Sequence, residues 1–479
     1  MSTKRTGASY VSKHSKPKSN YPPRAPLDPQ AIKTANMKAR TRFEEQCKIY
    51  WENKPYIIDV KEHHELEIKF GTLWDSDPIT RNDYDNVVKQ LISMNFTTTT
   101  TEGDYMLRIQ NEYVDPAAGT VSLSKVRTEI QGFAAIQQYC KNNDLEKLID
   151  TPNYTHNVNM HKKDGSRYPL SHQMAGAEMG QTDFHDFGFR SGYSMEEQYN
   201  VISRFGIVKG TVENWHKSKK TFRYINRVTF VHPDYPVKID ISIVKSSKMK
   251  ENGKDMQRTF NTGESGVFQS KELFEIEIEV DTALIGPGTK CDTVTLLVAN
   301  LRKCIKFVMM GLQETSYPIS VSEKKRISNE YLALIRSPSA TKGACKLYTN
   351  QFIGPNSQTL QINHIVDNTD NALSIPNIRN NYTVTDKADG ERRMLFVAKN
   401  GHIYLLNSNM KLLFTGAKTD NEELANTLID GEIIAHDKNG RYINLFAAFD
   451  IYFVNNKDVR ANQFHIPPDQ ESDKNKSRL

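Results

Sequence analysis

Cysteine is scarce in this 479-residue chain: Cys47, Cys140, Cys291, Cys304 and Cys345 are its five, and none stands in a CxxC or CxxH grouping. That spacing argues against a zinc site or a disulfide framework and for reduced thiols in an intracellular compartment. Long apolar runs are missing too. No stretch reaches the roughly 18 apolar residues of a membrane span, and the N-terminus lacks the apolar core of a signal peptide. No membrane partner is therefore expected. Charge is not extreme: a net +6 and a pI near 8.7 fit a local anionic partner without requiring one. What is present is length for two or three domains, with 38% hydrophobic residues to fill their cores.

Residues 1–40 carry Lys4, Arg5, Lys13, Lys16, Lys18 and Arg24 among Ser, Pro and Gly, with almost no acid. Such a segment is too polar to fold alone and is expected to be a flexible basic arm. A helical pattern follows from Met37 to Trp51.

Next comes Glu65-Leu66-Glu67-Ile68-Lys69-Phe70. In a strand, alternate side chains share a face, so Glu65, Glu67 and Lys69 line one side and the apolar residues the other. About two hundred residues on, Phe274-Glu275-Ile276-Glu277-Ile278-Glu279-Val280 repeats the pattern. Neighbouring carboxylates repel unless a cation offsets them. Two such strands facing into one barrel would gather up to five carboxylates and a lysine on a hard divalent ion. Between them, Asp83–Met94 is predicted to be a helix and Asp104–Val114 a strand. The segment 121–130 alternates with Lys125, Arg127 and Glu129 on one face. Residues 221–230 place Arg223, Ile225, Arg227 and Thr229 together; residues 237–244 place Lys238, Asp240 and Ser242. The His232–Pro236 turn makes those last two a hairpin. Residues 150–200 show little periodicity. Strands of even length with one charged face predict a closed barrel with a polar lumen, in which metal and basic groups hold a polyphosphate and a Glu orients water.

The paired Glu-x-Glu strands resemble the triphosphate tunnel metalloenzymes, specifically the metal-dependent RNA 5′-triphosphatases of fungal and viral capping systems, over about residues 55–285. The resemblance implies Glu65, Glu67 and Glu279 as metal ligands, with Glu275 and Glu277 supporting the metal and the nucleophilic water. Lys69, Lys125, Arg127, Arg223, Arg227, Lys238 and Asp240 would line the tunnel and bind phosphate and RNA. A helix at Thr289–Gln313 closes this domain, Ser316–Lys325 is the expected linker, and Arg326–Arg336 opens the next unit.

Asn381-Tyr382-Thr383-Val384-Thr385-Asp386-Lys387-Ala388-Asp389-Gly390-Glu391-Arg392 places a lysine after an expected strand and before Met394–Val397, which turns back through Asn400-Gly401. Lysine is a poor nucleophile at neutral pH unless its pKa is lowered, as by neighbouring cations. Each Asp-Gly here is also a good turn dipeptide. The Lys387-x-Asp389-Gly390-x-Arg392 spacing resembles the covalent nucleotidyltransferases, RNA guanylyltransferases and polynucleotide ligases among them, over about residues 315–455. Leu428-Ile429-Asp430-Gly431-Glu432 and Phe449-Asp450 resemble further motifs in the family's order. The resemblance implies that Lys387 attacks the α-phosphorus of GTP to hold GMP. Asp389, Arg392 (ribose), Glu432 (ribose and metal) and Phe449 (guanine) would bind the nucleotide. The later motifs do not follow, so the chain is expected to be the front part of a longer polypeptide that guanylylates itself poorly.

Together the halves resemble the multifunctional mRNA-capping enzymes of large cytoplasmic DNA viruses. The expected fold is α+β: residues 1–40 an arm, 41–315 an antiparallel tunnel barrel with helices, and 316–479 an incomplete nucleotidyltransferase domain. The resemblance implies 5′-triphosphorylated RNA and GTP as substrates, Mg²⁺ or Mn²⁺ as cofactor, viral transcription machinery as partner, and host cytoplasm or virion as location. A ligase using ATP, or a non-catalytic RNA-binding scaffold, are the competing functions.

Overall fold

The computed structural model describes the chain except residues 1–27, 54–61, 74–75, 101–102, 116–118, 165–179, 252, 254, 337–346, 367–375, 381, 467–475 and 479. Most of the expected basic arm and Cys345 lie outside the described residues. The elements run α1 (Pro29–Asn53), β1 (Glu62–Phe70), α2 (Arg81–Ser93), β2 (Thr97–Thr98), β3 (Asp104–Val114), β4 (Val121–Gln131), α3 (Phe133–Cys140), α4 (Leu145–Ile149), β5 (Val158–Asp164), β6 (Gln181–Phe184) and β7 (Phe189–Tyr199). Then come α5 (Gly206–Glu213), β8 (Lys220–His232), β9 (Tyr235–Ser246), α6 (Thr262–Ser265), β10 (Leu273–Val280), α7 (Val294–Gln313) and α8 (Val321–Ile335). A second run of strands ends the chain: β11 (Glu391–Val397), β12 (His402–Asn407), β13 (Leu412–Lys418), β14 (Thr427–His436), β15 (Tyr442–Val454) and β16 (Lys457–Asp458).

Strands pair in the order β1-β10-β9-β8-β3-β4-β5-β7, and β7 pairs back onto β1, closing an eight-stranded antiparallel barrel. Alternation decides which face is which. Leu66, Ile68 and Phe70 of β1, Ile239 and Ile241 of β9, and Ile276 and Ile278 of β10 point outward into one core. Phe43, Cys47 and Tyr50 of α1, Val87 and Leu91 of α2, and Leu297, Leu301 and Val308 of α7 cover them. Each fully buried aliphatic side chain stabilises by roughly 1.5–3 kcal/mol. A second outer core sets Leu107, Ile109 and Phe222 against Tyr139 of α3 and Trp215. The charged residues on alternate positions are thereby left inside.

β11 to β15 form, with β16, a six-stranded antiparallel sheet. Its Met394, Phe396, Tyr404 and Leu428 pack on Ile327, Tyr331 and Leu332 of α8. The architecture is thus α+β, a closed barrel with helices followed by an antiparallel sheet.

Four expectations are corrected. The first helix begins at Pro29 rather than Met37, because Pro suits a first helical position and Ala31, Ala35 and Ala39 extend it; residues 29–40 are therefore not a loose arm. The expected linker is half helix: Ser320 accepts from Glu323 N–H and starts α8 at Val321. The polar stretch 150–200 supplies β5 and β7, two walls of the barrel, whose alternation small residues such as Gly192 had blurred. No strand precedes Lys387 among the described residues 382–389.

Asp186, in the β6–β7 turn, joins the barrel to α8. Its carboxylate accepts from Asn36 Nδ2 (2.8 Å), Ser322 N–H (2.7 Å) and Ser322 Oγ (2.8 Å), and its carbonyl accepts from Val321 N–H (2.7 Å). Where α7 crosses α2, a Cβ built on Gly311 would lie 2.6 Å from Val87 Cα, backbone that cannot yield cheaply. Gly311→Ala is therefore expected to lower stability by about 1–3 kcal/mol through overpacking, read as a reduced urea midpoint with an unchanged slope.

Candidate functional site

The β1–β10 register sets Glu67 opposite Glu279 and Lys69 opposite Glu277, and β10–β9 sets Glu277 opposite Asp240 and Glu279 opposite Lys238. The two Glu strands, distant in sequence, are neighbours facing one lumen. On the other side of β1, Glu65 faces Ser194, Glu67 faces Gly192 and Lys69 faces Arg190. Gly192 has no side chain to fill the space beside Glu67, whose Oε1 lies 3.7 Å from where a Cβ would be.

The lumen charges are paired. Lys69 Nζ lies 3.0 Å from Glu67 Oε2 and 3.3 Å from Glu277 Oε1. Arg227 reaches Asp240 at 2.8 Å and Glu277 at 3.7 Å, and Arg223 reaches Glu275 at 2.5 Å. On the facing wall Arg108 and Arg127 both contact Glu129, at 2.8 and 2.9 Å, and Arg127 contacts Glu196 at 2.6 Å. Lys238 sits at a mouth, 3.3 Å from Asp281, and Lys125 is exposed.

Three carboxyls show how unevenly this compensation is spread. Burial pushes Glu279 up, and the Glu65 and Asp240 carboxylates push it further, to about 7. Asp240 is also raised, by burial, which Arg227 and the Thr229 hydroxyl (2.6 Å) only partly offset. Burial raises Glu277 as well, but Lys69 and Arg227 outweigh it and hold the group below the ordinary carboxylate range, ionised at neutral pH.

Glu65, Glu67 and Glu279 do not form a ready chelate. Among the described residues no three His, Cys, Asp or Glu side chains stand close enough together to hold a metal ion. Lys69 already neutralises Glu67. The donor set is nevertheless suited to a hard ion: oxygen ligands, adjacent in register, with Glu279 and Glu65 in mutual repulsion.

Several lumen residues escaped the sequence. Arg108 lies on the polar face of a strand that was expected, while His161, Arg190 and Glu196 lie on strands that were not. His161 approaches Glu129 at 3.7 Å and Glu196 at 3.8 Å. The signal available for Arg108 was its alternation with Gln110 in Asp104–Val114.

The second constellation converges on β11 and β14. Arg392 holds the buried Asp430 with two hydrogen bonds (3.1 and 2.5 Å), donates to Pro355 O (2.6 Å) and lies over the Phe352 ring. The Tyr452 hydroxyl donates to the same Asp430 at 2.6 Å. Gly390 N–H donates to Glu432 at 3.0 Å, and a Cβ on Gly390 would meet Ile433 O at 2.5 Å. Phe449 occupies a β-bulge, since Asp430 pairs with Asp450 while Gly431 pairs with Ala448. Lys387 stands away from all this. Its side chain is 87% exposed, 3.7 Å from an equally open Asp389.

Residues 344–466 match the family described as "mRNA capping enzyme, catalytic domain". The chain is 34% identical over 164 residues to the probable mRNA-capping enzyme of Acanthamoeba polyphaga mimivirus, a match covering 33% of this chain and 12% of that protein. The structure of S. pombe Pct1 RNA triphosphatase is 13% identical with a TM-score of 0.27, covering 61% of this chain and 96% of that one. The same protein in complex with the Spt5 CTD gives 12%, 0.24, 60% and 92%. Among the described residues no helix is long and apolar enough to cross a membrane. Residues 344–466 are thus similar to the catalytic domain of mRNA-capping enzymes, and a 164-residue stretch of the chain to a viral one.

Proposed function

We propose that this chain acts in mRNA capping: the barrel removes the γ-phosphate from 5′-triphosphorylated RNA, and residues 316–479 belong to the unit that transfers GMP. The observation that carries it is the inward-facing ladder of Glu65, Glu67, Glu275, Glu277 and Glu279 in a closed barrel whose other strands supply Arg108, Arg127, Arg223 and Arg227. Residues 41–315 would be the triphosphatase unit. Host cytoplasm or virion as location, and a link to viral transcription machinery, belong to the same proposal, supported by the likeness to a viral capping enzyme.

The lumen pairs explain why polyphosphate and cation would enter together. Each lumen arginine or lysine named above except the exposed Lys125 already has a carboxylate partner, so a phosphate chain arriving alone would leave those carboxylates uncompensated. Mg²⁺ or Mn²⁺ held by Glu65, Glu67 and Glu279 would draw charge from the phosphate oxygens. Lys69, freed from Glu67, would join Lys125, Arg127, Arg223, Arg227 and Lys238 in binding phosphate oxygens, while Asp240 fixes the Arg227 guanidinium. Ionised Glu277, with Glu275 beside it, accepts a hydrogen bond from water. The water oxygen bonds to the γ-phosphorus, the bond to the β-bridging oxygen breaks, and the water's proton passes to the carboxylate. Inorganic phosphate and diphosphate-ended RNA result.

In the second unit, Lys387 would attack the α-phosphorus of GTP, forming a P–N bond and expelling pyrophosphate. Asp389, Arg392, Glu432 and Phe449 would bind the nucleotide. The Lys387 side chain is exposed, 3.7 Å from the Asp389 carboxylate.

Three outcomes are expected. Phosphate release from 5′-triphosphorylated RNA should fall about 100-fold or more in Glu67→Ala and in Glu277→Ala, and should stop in excess chelator; undiminished release in either case contradicts the assignment. Incubation with radiolabelled GTP should leave little acid-stable, hydroxylamine-labile adduct; strong labelling abolished by Lys387→Ala would overturn that expectation. The third concerns pH. Because Glu279 titrates near 7 in the fold against 4.5 in its absence, the folded state holds an extra proton between these values. Metal-free stability should therefore fall as pH rises from about 4.5 to 7, by on the order of 2–3 kcal/mol. Urea unfolding across this window should show the slope in the parent and a flatter one in Glu279→Gln.

A further inference from the structure

The two mouths of the barrel are chemically unlike. One is formed by the ends of β3, β8 and β9 where Asp104, Thr229 and Lys238 lie, and among the described residues there Lys238 is engaged with Asp281 (3.3 Å) and Lys290 with Asp234 (2.6 Å). The other is framed by the β3–β4 hairpin, the start of β8 and residues 256–260. Those pieces are tied into one rim. Glu112 N–H donates to Lys219 O (2.7 Å), Lys220 and Thr259 exchange backbone hydrogen bonds (2.7 and 2.9 Å), and Arg258 holds Glu112 (3.2 Å).

That rim exposes Lys125, Lys217, Lys219, Lys248 and Lys250, beside the exposed acids Glu251, Asp255 and Glu264, the last accepting from Phe260 N–H (3.3 Å). Its nearest lumen carboxylate, Glu275, is bound by Arg223. It also exposes two aromatic rings: Tyr113 is 48% exposed, and Phe260 is 44% exposed with Lys219 Nζ lying 5.7 Å from its ring centre. Aromatic faces beside lysines hold successive unpaired bases while the cations follow the phosphates. The β6–β7 turn that anchors α8 through Asp186 lies at this same end.

We propose that this rim is the entrance for single-stranded RNA, which stacks its first bases on Tyr113 and Phe260, runs its backbone past Lys219, and directs its triphosphate toward Glu65 and Glu279. The inference rests on the triphosphatase reading, and the test separates the two.

Steady-state γ-phosphate release is measured for the parent, for Tyr113→Ala with Phe260→Ala, for Lys219→Glu, and for Lys290→Glu at the opposite mouth. Each is assayed on a 20-nucleotide 5′-triphosphorylated RNA and on GTP, which has no RNA body. The rim variants should raise KM for RNA about 10-fold while leaving GTP hydrolysis within twofold, which also reports that they fold. The salt dependence of KM for RNA should be shallower in Lys219→Glu, and Lys290→Glu should match the parent on both substrates. An RNA KM unmoved by the rim variants, equal losses on RNA and GTP, or a Lys290→Glu effect as large as that of Lys219→Glu would overturn the entrance. Absence of γ-phosphate release by the parent on either substrate would instead overturn the triphosphatase activity itself.

Discussion

Carboxylates confined together without water repel, and the barrel is built around that repulsion. Closing the sheet through β7–β1 forces the polar faces of eight strands inward. Glu65, Glu279 and Asp240 then share space that bulk solvent would otherwise have screened. Lys69 and Arg227 outweigh burial at Glu277, whereas at Glu279 the pull of Lys238 and Arg227 only partly offsets burial and the neighbouring carboxylates. A fold that keeps such a cluster without relaxing it, and covers its outer faces with α1, α2 and α7, is stable because the apolar half of every strand outweighs the crowded half.

Much of this was legible because period-two alternation carries its own geometry. Glu65-x-Glu67-x-Lys69 and Glu275-x-Glu277-x-Glu279 needed only the assumption of a strand to share a face, and the register then set Glu67 against Glu279. The Arg223 and Asp240 strands were legible for the same reason. What could not be read was the wall made by β5 and β7. Gly192 and Ser194 occupy lumen positions without size or charge, so alternation there carries no contrast, and Arg127's second partner, Glu196, was hidden with them. Chain termini of elements failed differently: Ser320 is a helix cap in a stretch whose polarity suggested a linker.

The second site was legible as a motif and not as a conformation. Glycine at 390 is required by the close approach of the Ile433 carbonyl, which no pattern of hydrophobicity reveals. Arg392, expected to meet a ribose, spends its guanidinium on buried Asp430 and on Pro355 O. Tyr452 completes that arrangement from β15. The strand residues are thus held by hydrogen bonds while Lys387, just ahead of the strand, is open to solvent, a division that spacing alone does not show.

Asp186 has a mechanical consequence. Its side chain is gripped from α1 and from the first turn of α8, and its carbonyl by the same helix. Swinging the C-terminal sheet about that point would strip several donors from one carboxylate at once, so small rotations are resisted steeply and large ones need the clasp to open altogether. The clasp thus sits at the turn that leads into β7, four residues before Arg190, which stands opposite Lys69 in the strand pair, and one carboxylate serves as a shared hinge pin for α1, the barrel and α8.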